Sequence, residues 1–359
     1  MPEATLSTLP NTPTTIDDDS NSFPDRFNIR LSSEDLRVRR IRLTAKEDPN
    51  FQKLIPKLKP QPQNWPLATQ QDLRNLVSRF LQASQNAAEF SSTLDQFVDE
   101  FRTWQHTQGM SPISNGEFNA TRASCRPGIK VEIRRLIIPS IINICHIPKI
   151  FTFGLEKEWK IDKNYRLPST GREDVIAPPK PDIAISFPFD AFDAPSNRGW
   201  PSPYPTDLDY CLSPNEENGG CFPFFFCEAG DGTPNEEAAC HANLYSASQA
   251  LYNIFQWMDR AGQRDVFLQR VRVFSMVIAR STIDVRVHRA DVQHGQLCFS
   301  FDEVFSCNNY TKDDAYQVYR NILEIYGKGV LLKILQAAFQ KVSAKERLLV
   351  QREGGDEGT

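Results

Sequence analysis

Two carboxylates are set where chemistry is easiest to build. Asp182 opens the alternating, β-rich run 182–187 (DIAISF) directly after Pro181, and Glu228 closes the near-continuous apolar run 222–228 (FPFFFCE). The first run reads as a strand, the second as a buried central strand. If the two strands pair, both carboxylates meet at one edge of the sheet. Two close carboxylates in a dry site are costly unless a cation neutralises them. Hard oxygen ligands suit Mg²⁺, which keeps several waters, reaches a phosphate and activates a water. Asp182 and Glu228 are therefore the candidate catalytic metal ligands. Glu132, in the preceding segment 129–138 (IKVEIRRLII), is the auxiliary acid. Its neighbours Lys130, Arg134 and Arg135 suit a nucleic-acid backbone. Each acid alone reads equally well as a surface carboxylate at the end of an element. The ordered set of helix Glu, strand Pro-Asp, strand Glu and long helix is more specific than its members.

The elements that must position these residues follow from periodicity. Residues 129–138 read as an amphipathic helix that Pro139 kinks or ends. Residues 151–159 read as a strand, and 188–220, crowded with Pro, Asp, Asn and Gly, as an inserted surface loop. A long helical pattern runs over 235–260, its apolar stripe formed by Leu244, Ala247, Leu251, Ile254 and Phe255. A buried strand at 271–279 and a hairpin at 283–301, turning near Gln293-His-Gly295, come next. His288 and His294, with Asp284 and Asp291 nearby, read as surface hydrogen-bonding pairs. Thr311 with Asp314 reads as a helix start. Helices follow at about 312–326 and 330–346, split by Gly327-Lys-Gly329. This order predicts an α/β fold: a mixed central sheet flanked by helices.

Toward the N-terminus, 1–25 reads as a disordered tail. Residues 26–119 read as a basic segment with a helical extension, its apolar stripes lying within 67–105. Residues 120–347 form the α/β domain, and 348–359 a second disordered tail. The densest basic piece is Arg37-Val-Arg-Arg-Ile-Arg42. Arg37, Arg39, Arg40 and Arg42 serve either as a phosphate-contacting arm or nuclear-import patch, or as a solvated face.

The layout resembles the PD-(D/E)XK nuclease superfamily, and in particular the nuclease-like domains abundant in fungal proteins of unknown function. The resemblance rests on Lys180-Pro-Asp-Ile-Ala-Ile185, on Phe224-Phe-Phe-Cys-Glu-Ala-Gly230 and on the helix beginning Glu236-Glu-Ala-Ala-Cys-His. It covers roughly 120–340. It implies a restriction-endonuclease-like sheet, Asp182 and Glu228 as metal ligands, and a lysine two residues after the Glu that orients water and stabilises charge. That position is Gly230, which brings no cation. Two outcomes are open. A lysine arrives from elsewhere, with Lys180 beside the motif as the candidate surrogate, or the site is degenerate and the fold serves as an inactive binding module for nucleic acid or protein.

The 359 residues carry 41 Lys/Arg against 45 Asp/Glu, a net charge of −4, so an all-over nucleic-acid coat is excluded and a local patch is not. The longest uncharged apolar run, 136–147, is interrupted by proline and is far short of the ~20 residues a membrane span needs. No secretory signal is visible, so a soluble, intracellular protein with reduced cysteines is expected, with no membrane partner. No nucleophile elbow, Walker loop or dinucleotide turn occurs. The readings carried forward are a Mg²⁺-dependent nuclease, an inactive descendant that binds nucleic acid or protein, and a scaffold without nucleic-acid contact.

Overall fold

A strand buried along its whole length must be paired on both edges and covered on both faces. Residues Gly220–Ala229, strand β3, are buried at every position. In the computed structural model β2 (Ile183–Pro188) pairs with β3 antiparallel, and β4 (Val273–Ile278) pairs with it in parallel. β1 (Thr152–Leu155) extends the sheet beyond β2, and β5 (Thr282–Gln293) and β6 (Gln296–Asn308) extend it beyond β4. The order is β1-β2-β3-β4-β5-β6. The structure describes residues 31–60, 74–76, 78–79, 114–142, 147–156, 158–159, 166–169, 177–192, 220–230 and 235–353. The expected tail 1–25 and most of the helical stripes of 67–105 lie outside them.

The helices are α1 (Ser33–Arg37), α2 (Ile55–Leu58), α3 (Asn115–Ser124), α4, α5 (Asn235–Arg260), α6 (Arg264–Arg270) and α7. α4 runs Lys130–Glu132, then a π-helical turn Ile133–Ile137, then Ile138–Ile141. α7 runs Lys312–Asn321, then π-helical Ile322–Leu331, then Leu332–Glu353. The single parallel pair, β3–β4, needs a long crossover. α5 supplies it and packs across β3, β4 and β5. The mixed α/β sheet flanked by helices is as expected, and so are the hairpin turn at His294-Gly295, both at positive φ, and the Thr311–Asp314 capping box.

Two breaks expected from the sequence are absent. Pro139 does not end α4: the π-helical turn Ile133–Ile137 leads directly into it, and the chain stays helical to Ile141. Gly327-Lys-Gly329 does not split α7. A Cβ on Gly327 would lie 2.8 Å from the Phe224 ring and 3.2 Å from that of Phe151. Glycine there lets the wide π-turn lie directly on the aromatic core, where Phe224 stacks on Phe187 with ring centroids 4.9 Å apart. α7 also runs on to Glu353, into the expected tail, through residues of high helix propensity.

Within the basic N-terminal segment, the described residues 31–60 pack onto the sheet. Ile41 bridges Phe299 in parallel, and the Arg42 and Lys46 amides donate to the carbonyls of Phe299 and Phe301. Asp48 is buried between two arginines, its carboxylate 2.6 Å from Arg272 Nε and 3.0 Å from Arg289 Nη1. Leu36, Ile41, Phe51 and Leu58 join the common core. Among the described residues no helix is long and apolar enough to cross a membrane.

The two glycines of α7 should therefore respond oppositely to alanine. Gly327→Ala should destabilise by about 1–3 kcal/mol through overpacking against Phe224. Gly329→Ala, whose Cβ meets nothing closer than 3.4 Å, should stay within about 1 kcal/mol of the parent. Urea denaturation monitored by circular dichroism checks both.

Candidate functional site

The β2–β3 register pairs Ile183 with Cys227. One residue further, Asp182 stands across from Glu228. The two residues are only 4 % and 3 % exposed. Asp182 Oδ2 also accepts the Ala229 amide at 2.8 Å, which fixes its rotamer. Burial, and then the neighbouring Asp182, push the Glu228 carboxyl up to about 8. Lys130 opposes the rise without cancelling it. Glu228 therefore keeps its proton at neutral pH when no further cation is bound.

The sequence places Lys130 among backbone-binding cations, but its ammonium lies inside this pair, 3.1 Å from Glu228 Oε2 and 3.6 Å from Asp182 Oδ2. Burial works against its charge. The attraction of Glu228 and then Asp182 outweighs that and leaves its pKa raised. Lys130 is delivered by the start of α4, after a turn at Gly128, whose φ is +79°. Glu132 secures that turn. Its carboxylate accepts the Arg126 amide at 2.6 Å and Arg126 Nε at 2.7 Å, and these bonds, the backbone one first, lower its pKa. Glu132 thus positions α4 rather than joining Asp182 and Glu228. One turn on from Lys130, Arg134 sends Nη2 to Asp182 Oδ1 at 2.7 Å and Nη1 to Glu156 Oε1 at 3.1 Å.

Glycine at 230 has a physical reason. Residues 228 and 230 share a face of β3, and a Cβ at 230 would lie 3.0 Å from Val277 Cγ1 and 3.4 Å from Ala279 Cβ. Any side chain there requires Val277 to give way. Lys180 is exposed, and the cation that reaches the carboxylates comes from α4 instead.

The remaining basic residues divide. Arg135 is exposed on α4, next in sequence to Arg134. Arg37, Arg39, Arg40 and Arg42 lie by β6, across the sheet from β2. Arg37 and Arg42 are exposed, whereas Arg39 is buried with Nη1 on the Asp35 carbonyl at 2.8 Å. His288 is not at the surface. It is buried, bonded to Ser275 Oγ at 2.7 Å, and held neutral because burial, and then Arg286, lower its pKa to about 3. Among the described residues, no group of three or more His, Cys, Asp or Glu side chains is placed to hold a metal ion.

Glu156 escaped the sequence reading. It follows β1 directly with φ +48°, uncommon for a residue with a side chain, and its amide donates to the Asp182 carbonyl at 3.1 Å. No local pattern announces it.

The raised Glu228 carboxyl makes a signed prediction. Folding binds its proton more tightly, so this stability is fully present below the unfolded value near 4.5 and is lost as pH rises toward about 8. In chelator, Glu228→Gln should gain little at pH 4.5 and about 1–2 kcal/mol over the parent at pH 9. Thermal melts across that range test it.

No curated protein and no solved structure matches the chain. One family does: residues 43–338, more than four-fifths of the 359, match Domain of unknown function (DUF7924). The matched stretch takes in Lys130, Arg134, Glu156, Asp182 and Glu228, and leaves out Arg37, Arg39, Arg40 and Arg42. The chain belongs to the DUF7924 family.

Proposed function

We propose that this protein is a divalent-metal-dependent phosphodiesterase of the PD-(D/E)XK kind acting on nucleic acid, with its lysine supplied by Lys130. One observation carries the reading. The aspartate, glutamate and lysine that this chemistry requires meet within 3.6 Å, although the lysine lies 98 residues before the glutamate in the chain.

A divalent cation fits these residues. Asp182 and Glu228 are two hard oxygen donors, and Mg²⁺ can take the place of the Glu228 proton once Lys130 moves off the pair. Lys130 and Arg134 are 38 % and 29 % exposed, so both can swing toward solvent. Asp182 and Glu228 would hold the ion, which when bound polarises a phosphate and lowers the pKa of a water. Asp182 is kept in place by the Ala229 amide. Lys130 then faces the developing charge on the phosphate, and Arg135 with the outer part of Arg134 attracts the flanking backbone.

The inactive-module reading has its own support. Lys130 and Arg134 already compensate both acids, and among the described residues no third acid joins Asp182 and Glu228 in a metal-holding group. A metal-free protein of this design binds polyanions without cutting them.

Cleavage of plasmid and single-stranded DNA and RNA in Mg²⁺ or Mn²⁺ decides between the two. Asp182→Asn, Glu228→Gln and Lys130→Met should each lower the rate by about 10²-fold or more. Lys180→Ala should leave it unchanged, and Gly230→Lys should not rescue Lys130→Met. Salt-dependent binding with no cleavage in any protein would favour the inactive module. Cleavage that persists in Asp182→Asn would contradict the nuclease reading.

A further inference from the structure

Arg134 is the least settled group beside the carboxylates. Its guanidinium is divided between Asp182 at 2.7 Å and Glu156 at 3.1 Å, and its buried Nε has no hydrogen-bond partner. Both acids are tied to one backbone element, because the Glu156 amide bonds the Asp182 carbonyl at 3.1 Å. The two carboxylates nevertheless differ in kind. Asp182 has a 4 % exposed side chain and opposes Glu228, whereas Glu156 has a 49 % exposed side chain held outward from a positive-φ position. A residue kept in a sparsely populated backbone region at a charged site is a pointer to function.

We infer that Arg134 is a built-in competitor for the cation site and that Glu156 is its alternative berth. Without a divalent ion, Arg134 neutralises Asp182. When the ion binds Asp182 and Glu228, the guanidinium, repelled by it, passes wholly to Glu156, a short swing because one nitrogen is already there. Glu156 thus sets how readily the ion enters without touching it. The inference rests on reading Asp182 and Glu228 as the cation site. Both residues act through Asp182, so they are positioning residues.

A double-mutant cycle on Mn²⁺ binding, measured by isothermal titration calorimetry on the full chain without substrate, tests it. Arg134→Gln should tighten Mn²⁺ by about tenfold, because a competitor is gone. Glu156→Gln should weaken it by about threefold to tenfold, because Arg134 stays on Asp182. In the Arg134→Gln background, Glu156→Gln should change it by less than about twofold. Arg134→Lys keeps the charge without the planar fork, and it should likewise shrink the Glu156→Gln effect if Arg134→Gln folds poorly. Equal weakening by Glu156→Gln in both backgrounds would reduce Glu156 to a remote negative charge and overturn the inference. Weaker Mn²⁺ binding in Arg134→Gln would overturn it too. If the parent binds no Mn²⁺, the cation-site reading itself fails, and the competitor falls with it.

Discussion

The antiparallel register of β2 and β3 forces two carboxylates together where water is scarce. Almost every other feature of this end of the molecule answers that constraint. The Ala229 amide takes one oxygen of Asp182, Lys130 lies against both acids, and Arg134 takes the other oxygen of Asp182. Even so, Glu228 stays protonated to about 8. Without an ion, charge balance at this site is met by the Glu228 proton and two partly exposed cations, an arrangement that a divalent ion can replace.

The sheet makes that constraint durable. β3 is buried throughout and clamped between an antiparallel and a parallel neighbour, and its phenylalanines pack against α5 and α7 through Trp257, Tyr319 and the close approach at Gly327. The N-terminal segment is sewn to β6 and locked by the buried Asp48–Arg272–Arg289 cluster. Breaking one partner of such a cluster leaves an uncompensated charge inside. The acid pair therefore sits on a rigid platform, whereas the cations reach it from a helix start and from half-exposed side chains. Rigid acids and movable cations are what a site that exchanges ions requires.

Much of this was legible from residue order. The all-apolar run ending in Glu228, the alternating run after Pro181, the 26-residue helix and the hairpin are local patterns, and local patterns are what a sequence displays. The two acids could be named because each closes or opens such a pattern. The cation could not, because Lys130 reaches Glu228 only through tertiary packing of α4, and its sequence neighbours made it look like a surface charge. Glu132 was misplaced for the same reason: its partner, Arg126, lies six residues back across a turn. Glu156 and Gly327 depend on a backbone angle and on a ring above a helix, neither of which has a sequence signature. The superfamily pattern placed a lysine at 230, where even a Cβ would crowd Val277.

The most direct test of the account is a crystal structure of the protein soaked in Mn²⁺, with anomalous diffraction collected at the manganese edge. The account predicts one strong peak bridging Asp182 and Glu228, with Lys130 withdrawn from Glu228 and the Arg134 guanidinium on Glu156. Absence of a peak between the two carboxylates, with Lys130 and Arg134 still on them, would contradict it.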